Sequence, residues 1–264
     1  MLFFSSIAMA QAFQAADMEI AEACDQLYVF DSVPASNEVV PYDTVPAVIF
    51  RGDCGSNVWI LSVEDGEGVL VEQEVQASMT GGSARIDEPE FLMEPDTDYI
   101  LRITPIDGWG QEVEVGFSTS SELSQGAMAP SPGVPEADAV GNEEGWWVAG
   151  DIDVRAGEDP DNLSVLMLLN DGGFPFYAAR PDEQGQANLR LPLDWMQQAP
   201  DEVCFTVAQE DAAGVRTTLE PVCVAPEVVV VPLTERGCST LSQVGGSGGL
   251  LLALVGLLGL RRRD

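Results

Sequence analysis

The chain has 264 residues, lacks histidine and lysine, and carries 44 acidic against 11 basic residues, a formal net charge of −33. The missing histidine excludes Ser-His-Asp and Cys-His catalysis and His-ligated zinc. The acidic charge disfavours nucleic acid and anionic lipid head groups as partners. Hydrophobic residues make up 45% of the chain, which is too many for a disordered acidic polypeptide.

The first twelve residues are predicted to be a signal peptide, residues 1–12. An apolar run from Leu2 to Ala8 leads into Ala8-Met9-Ala10, which has the A-x-A pattern of a cleavage site. No basic residue precedes the apolar run. An ordinary flexible N-terminus is therefore the alternative.

Residues 24–120 are predicted to form a first β domain. Its clearest feature is a hairpin from Tyr99–Ile106 to Glu112–Ser118, in which apolar and polar residues alternate on both sides of a Gly-rich turn. A turn-rich stretch centred on Asn37–Pro41 is predicted to join two earlier strands. The other predicted strands are Cys24–Asp31, Ala47–Phe50, Val58–Val63, Val69–Val75 and Ser83–Ile86.

Three phrases within residues 32–120 resemble those of a bacterial Ig-like domain of the surface-layer type. They are Pro34-Ala35-Ser36-Asn37-Glu38-Val39-Val40-Pro41 with Phe50 closing the next strand, Met93-Glu94-Pro95-Asp96-Thr97-Asp98-Tyr99, and Asp107-Gly108-Trp109-Gly110 followed by Phe117-Ser118-Thr119. The resemblance implies a sandwich in which the Tyr99 ring packs in the core and its hydroxyl bonds nearby backbone.

A linker and a second β domain are predicted next. Residues 121–145 hold three prolines, several small residues and acids, a composition typical of an extended linker. Residues 146–231 are predicted to form a second small sandwich, whose end, Cys204-Phe205-Thr206-Val207 through Cys223-Val224, is similar to the end of a fibronectin-type or Ig-like domain. Its predicted strands are Trp146–Val154, Leu163–Leu169, Phe174–Arg180, Ala187–Leu193, Val203–Glu210, Val215–Val224 and Val228–Val231.

Export would make the cysteines available for disulfides. Setting Cys238 aside leaves four cysteines, for which three pairings are possible. Cys204 and Cys223 lie at equal distances from a turn near Ala213, and Cys24 and Cys54 lie similarly about the earlier turn. Hairpin geometry therefore favours the pairs Cys24–Cys54 and Cys204–Cys223.

The last stretch, residues 237–264, is predicted to anchor the protein. Residues 244–260 are uncharged and precede three arginines; as a helix they would span about 25 Å, at the lower limit for a transmembrane segment, with the arginines on the cytoplasmic side. A buried C-terminal helix is the alternative. Gly237-Cys238-Ser239, the Gly-rich spacer, the apolar span and the arginine cluster resemble a MYXO-CTERM sorting tail. The resemblance implies surface sorting in a Gram-negative bacterium, with Cys238 as the site of processing or lipid attachment.

Two groups of side chains are candidate sites. The acidic residues Asp151, Asp153, Asp159 and Asp161 form a dense cluster whose oxygen ligands would suit calcium, although a solvated acidic surface explains them as well. Trp146 and Trp147 must point to opposite faces of a strand, so one of them could be exposed and meet a partner. No catalytic residue and no other cofactor is predicted.

These observations predict an all-β protein with two small Ig-like or fibronectin-like β-sandwiches in tandem and a short C-terminal transmembrane helix. The predicted function is that of a non-enzymatic cell-surface protein for adhesion, envelope structure or ligand binding, with an unknown surface protein or a polysaccharide as partner. The alternative is a carbohydrate-binding accessory module of a polysaccharide-degrading system, which predicts an exposed coplanar tryptophan pair. A carboxylate-based hydrolase is the third hypothesis.

Overall fold

The computed structural model describes residues 27–52, 58–77, 82–88, 91–106 and 110–231. All regular secondary structure in these ranges is β-strand, and they contain no helix that is long and apolar enough to cross a membrane. The predicted signal peptide, the predicted span 244–260, and Cys24, Cys54 and Cys238 lie outside the described residues.

The first sandwich consists of a three-stranded sheet in the order β1-β3-β6 and a five-stranded sheet in the order β2-β8-β7-β4-β5. Taken as strands A, B and E against A′, G, F, C and C′, this is the order of an Ig-like sandwich. The strands are β1 Tyr28–Val33, β2 Val39–Pro41, β3 Ala47–Arg51, β4 Val58–Glu64, β5 Val69–Gln76, β6 Ser83–Arg85, β7 Asp98–Pro105 and β8 Val113–Ser120.

The core of the first sandwich contains an aromatic pair that joins the two sheets and a tyrosine corner. Trp59 is fully buried and its ring centroid lies 5.2 Å from that of Phe50 in the opposite sheet. Tyr99 is also buried, stacks on Phe117, and its hydroxyl accepts a 2.7 Å hydrogen bond from the backbone N–H of Glu94. The predicted role of Tyr99 is confirmed.

The stretch predicted as a turn between β1 and β3 contains a strand of its own. After β1 the chain crosses to the five-stranded sheet, where β2 pairs in parallel with β8. It then returns to the three-stranded sheet, where β3 pairs antiparallel with β1. The prediction of a simple turn at residues 37–41 is therefore wrong. A strand that changes sheets this way closes the edge beside β8.

The second sandwich repeats the arrangement with a sheet β14-β11-β10-β18 and a sheet β13-β12-β15-β16, to which β9 and β17 add by pairing with β11 and β15. The core strands follow the order A, B and E against C′, C, F and G. The strands are β9 Ser131–Pro132, β10 Glu136–Asn142, β11 Gly145–Arg155, β12 Val165–Leu169, β13 Pro175–Ala179, β14 Gln186–Met196, β15 Val203–Glu210, β16 Arg216–Thr218, β17 Val222–Val224 and β18 Glu227–Val230.

The predicted linker, residues 121–145, is wrong over much of its length because it supplies two strands of this sandwich. Strand β10 pairs with β11 along seven residues and β9 pairs with the far end of β11. The segment before β9 is also fixed by hydrogen bonds. Its backbone N–H groups donate to the first sandwich and to the second, in the pairs Ser124 to Asp43, Gln125 to Asp161, and Met128 to the carbonyl of Glu158.

The predicted strand Val215–Val224 is divided into β16 and β17. Pro221 stands in the break between them. Because proline has no N–H to donate, it interrupts the ladder with β15. The chain resumes pairing at Val222, which brings Cys223 opposite Cys204.

The two sandwiches belong to one compact unit and share an apolar contact. All five residues of β12 are buried. Leu166 and Leu168 belong to the core of the second sandwich, whereas the alternate side chains Val165, Met167 and Leu169 join the core cluster of the first. Strand β12 is therefore apolar on both faces because each face is covered.

At the edge of this apolar contact, arginine side chains form hydrogen bonds and ion pairs between the two sandwiches. Arg85 of β6 donates hydrogen bonds to the carbonyls of Val45, Asp211 and Ala212 and forms an ion pair with Glu210 at 2.7 Å. Burial lowers the pKa of Arg85, and the charge of Glu210 opposes that shift. A guanidinium with these partners ties the first sandwich to the loop after β15.

Two further arginines act in the same way. Arg51 of β3 donates to the carbonyl of Ala178 and lies 4.2 Å from the ring centroid of Tyr177. Arg180 pairs with Glu38 at 3.0 Å. Three of the seven arginines in the described part of the chain thus bridge the two sandwiches.

Candidate binding face

The outer face of the β14-β11-β10-β18 sheet carries a row of apolar side chains, which we call the aromatic row. Cross-strand partners share a face, and the register places these four opposite one another in turn: Val229, Val140, Trp147 and Trp195. The rings of Trp147 and Trp195 meet at a centroid distance of 5.2 Å and an interplanar angle of 63°. Trp195 remains 48% exposed.

The neighbouring side chains of β11 confirm which face this is. Trp146 packs against the core of the second sandwich, and Val148 is buried there. Trp147, between them, points outward to Trp195. The expectation that Trp146 and Trp147 point to opposite faces is confirmed.

A β-bulge turns Trp195 outward. The β11–β14 register shifts between Val148 and Gly150, whose partners are Asp194 and Leu191. Leu191 packs against the core, and strict alternation would place Trp195 on the same face as Leu191. The one additional residue in β14 reverses that alternation, so Trp195 meets Trp147 on the outer face.

The Trp195 ring packs directly on the backbone of Gly145. A Cβ at Gly145 would come within 1.9 Å of the indole, a distance that no side chain can occupy. Gly145 ends the turn between β10 and β11 and is itself buried. The position of the exposed indole is therefore set by close backbone contact from below and by the edge contact with Trp147.

Acidic residues border the aromatic row on both sides. Glu143 and Glu144 are in the turn that precedes Gly145, and both are exposed. On the other side, Asp138 and Glu227 are exposed register partners in the next row of the sheet. This face therefore has an apolar centre with carboxylates on two sides.

The four aspartates considered for calcium are not brought together as a set. Asp151 and Asp153 lie on β11, where both carboxylates accept from the amide of Asn188. The carboxylate of Asp159 accepts from the N–H groups of Asp161, Leu163 and Ser164, and that of Asp161 accepts from Gln125. These carboxylates stabilise a turn and a strand pair.

Among the residues that the structure describes, one group of three ligand-type side chains comes within 4.8 Å, and it comprises Glu202, Cys204 and Cys223. Both thiols of that group are joined in a disulfide. The Cys204–Cys223 bond links register partners of β15 and β17, so this predicted pairing is confirmed. The pairing of Cys24 with Cys54 stays a prediction.

The cleft between the sandwiches contains carboxylates that the hydrolase hypothesis would require. Glu210, a buried acid that lines this cleft, is held by Arg85 at 2.7 Å and by Arg216 at 2.9 Å. Both carboxylate oxygens of Glu210 are engaged by guanidinium groups, Oε1 by Arg85 and Oε2 by Arg216, so neither is directed at a substrate. The geometry gives Glu210 a structural role.

No protein-family model and no curated protein matches the chain. Among solved structures, fibronectin(III)-like modules of Clostridium thermocellum CbhA share 11% identity over 81% of this chain and 100% of theirs, with a TM-score of 0.23. The BSP domain of a biofilm-associated protein shares 13% over 72% of this chain and 29% of that one, with a TM-score of 0.25. Chicken CNTN1 FN1–FN3 shares 10% over 78% and 66%, with a TM-score of 0.23. Scores of this size carry no functional argument, and the Ig-like assignment rests on the strand order.

Proposed function

We propose that this is a non-enzymatic protein of the cell surface that binds a partner through the aromatic row of its second sandwich. The observation that supports it best is the contact of Trp147 with the 48% exposed Trp195, on the sheet of that sandwich that does not face the first sandwich. Exposed apolar clusters with a polar border are typical of interaction sites.

Export is part of the proposal. The disulfide between Cys204 and Cys223 is of a kind that forms in oxidising compartments. A signal peptide at residues 1–12 and an anchor at residues 237–264, processed at Cys238, would place the sandwiches on the outside of a Gram-negative envelope. Protease treatment of intact cells tests the location, because a surface protein is degraded before the cells lyse.

A carbohydrate-binding module is the second candidate, and the exposed Trp195 ring favours it. Sugar rings stack on indoles, but an extended chain that stacks on two indoles needs them coplanar. The 63° angle between Trp147 and Trp195 leaves one ring for stacking. The geometry therefore supports protein recognition better than a flat polysaccharide site.

The test is attachment of the native protein to envelopes purified from cells that lack it. We expect Trp147→Ala/Trp195→Ala to abolish co-sedimentation and Phe174→Ala to leave it unchanged. Phe174 is a suitable control because it is a 70% exposed aromatic away from the aromatic row. Equal attachment by all three proteins would overturn the proposed role of this face.

A further inference from the structure

We infer that the occupant of the aromatic row is a basic, extended polypeptide segment, in which arginine or lysine side chains alternate with apolar ones. This inference names the partner class for the proposed function and rests on it. Two observations carry it: the exposed indole of Trp195 at the β14 end of the row and the carboxylates on either side.

The indole surface provides the first half of the recognition. The face of a tryptophan attracts cations more strongly than that of any other side chain, and guanidinium groups are the most frequent partners. Trp147 meets Trp195 at an angle and not face to face, and about half of the Trp195 side chain stays exposed to a ligand. The chain itself uses this chemistry where Arg51 lies over Tyr177.

Charge provides the second half. Glu143 and Glu144 on one side, and Asp138 and Glu227 on the other, border the row. Four carboxylates favour a segment with positive side chains and repel an acidic one. Among the residues that the structure describes, the nearest arginine on this face is Arg190, which lies two rows away opposite Asp151.

The dimensions fit an extended segment. The aromatic row crosses four strands, which is about 14 Å at the usual strand spacing, and an extended chain covers that distance in about four residues. Successive side chains of an extended segment point to opposite sides, so its basic side chains would share one side and could reach the Trp195 indole and the bordering carboxylates together. A second copy of this protein is a poor occupant, because 43 acidic residues face eight arginines between residues 11 and 237.

The experiment measures binding of a fluorescein-labelled peptide of alternating arginine and valine, ten residues long, to the full-length protein by anisotropy. We expect Trp195→Ala to weaken binding about fivefold, which corresponds to one exposed cation–π contact, and Phe174→Ala to have no effect. A peptide with glutamate in place of arginine should not bind.

General attraction to an acidic protein is separated from local recognition by a charge-matched pair of variants. Glu143→Gln/Glu144→Gln removes two charges beside the aromatic row, and Glu72→Gln/Glu74→Gln removes two exposed charges from β5 of the first sandwich. We expect the first pair to weaken binding of the basic peptide severalfold more than the second. Equal effects of the two pairs, or of Trp195→Ala and Phe174→Ala, would overturn the inference.

The same variants distinguish failure of the inference from failure of the proposed function. If β-1,4-linked hexasaccharides bind in a Trp195-dependent way and the basic peptide does not, the face binds a ligand but the inferred partner class is wrong. If neither probe depends on Trp195 and attachment to envelopes is also unchanged in the tryptophan variant, the face has no binding role and both proposals fall.

Discussion

The two sheets of the second sandwich have outer faces in different surroundings: one packs against the first sandwich and the other faces solvent. The outer face of β12 carries the aliphatic side chains Val165, Met167 and Leu169, which are buried against the first sandwich and bordered by arginines. The outer face of the other sheet is aromatic, partly exposed, and bordered by acids. Few cations are available in this chain, and three of them lie at the first face, so the second is left acidic. The contrast separates a structural interface from a candidate site.

The largest effect on stability is expected at the covered face. Arg85→Ala should lower the free energy of unfolding by about 3 kcal/mol, because it removes a buried guanidinium and leaves three carbonyls and Glu210 with fewer partners. Urea unfolding measures it. Arg190→Ala, on the open face, is the control and should change stability by no more than about 0.5 kcal/mol. Equal effects would mean that the two faces do not differ as described.

Packing across the covered face is tested by Met167→Ala. Met167 is fully buried and belongs to the cluster that continues into the first sandwich. Its truncation should cost about 2 kcal/mol because it leaves a cavity between the sandwiches. Val140→Ala, which shortens a partly exposed member of the aromatic row, should cost clearly less. The comparison is made by thermal unfolding of both variants beside the wild type.

The open face is expected to contribute little to stability. Trp195→Ala should lower the free energy of unfolding by about 1 kcal/mol, less than the two changes above, since the indole loses its contact with Trp147 but is half exposed and lies on an edge strand. Chemical denaturation beside the binding assay provides the measurement. A large loss of stability would show that Trp195 is part of the fold and would remove the distinction between the two faces.

The smallest effect concerns an exposed arginine on the first sandwich. Arg102 donates to Glu64 at 3.0 Å, and this hydrogen bond lowers the pKa of Glu64 below its ordinary value. A carboxyl whose pKa is lower in the folded state contributes stability above its unfolded pKa, and loses it as the pH falls through its folded pKa. Arg102→Met should therefore reduce the fall in stability between neutral and acidic pH slightly, because solvent screens this pair. Denaturant midpoints of the wild type and of Arg102→Met, measured across that pH range, test this prediction.

Local sequence signals predicted much of the fold. The phrase ending in Tyr99 and the equal spacing of Cys204 and Cys223 about a turn both correspond to contacts that the structure contains. These features depend on residues close together in the chain. Turn chemistry and alternation are local properties, and they can be read without knowing what packs on top.

Strand β10 escapes prediction because small residues hide its burial. Strand β10 places Ala137 and Ala139 in the core. Gly150 opposite it has no room for a side chain, because Phe205 and the backbone of Glu136 would lie within 3 Å of any Cβ there. A close approach of strands leaves space only for alanine and glycine. The segment therefore has the composition of a linker although it lies inside a sheet.

The candidate site depends on register, which the sequence indicates less directly. Alternation along β14 would bury Trp195 with Leu191, and the bulge reverses it. Pro192 was the available signal, since a proline within a strand is typical of a bulge or an edge. The docking of the sandwiches had a signal too: the uninterrupted apolar run of β12 is typical of a strand covered on both faces.

The interface arginines also determine how the protein should respond to its ionic medium. Dissolved ions shorten the range of exposed charges, to about 10 Å at 0.1 M and about 3 Å at 1 M, and affect buried pairs much less. Added sodium chloride would therefore relieve repulsion among the exposed carboxylates while the contacts of Arg85, which is mostly withdrawn from water, persist. Rising melting temperature with rising ionic strength is the behaviour that this distribution of charge predicts.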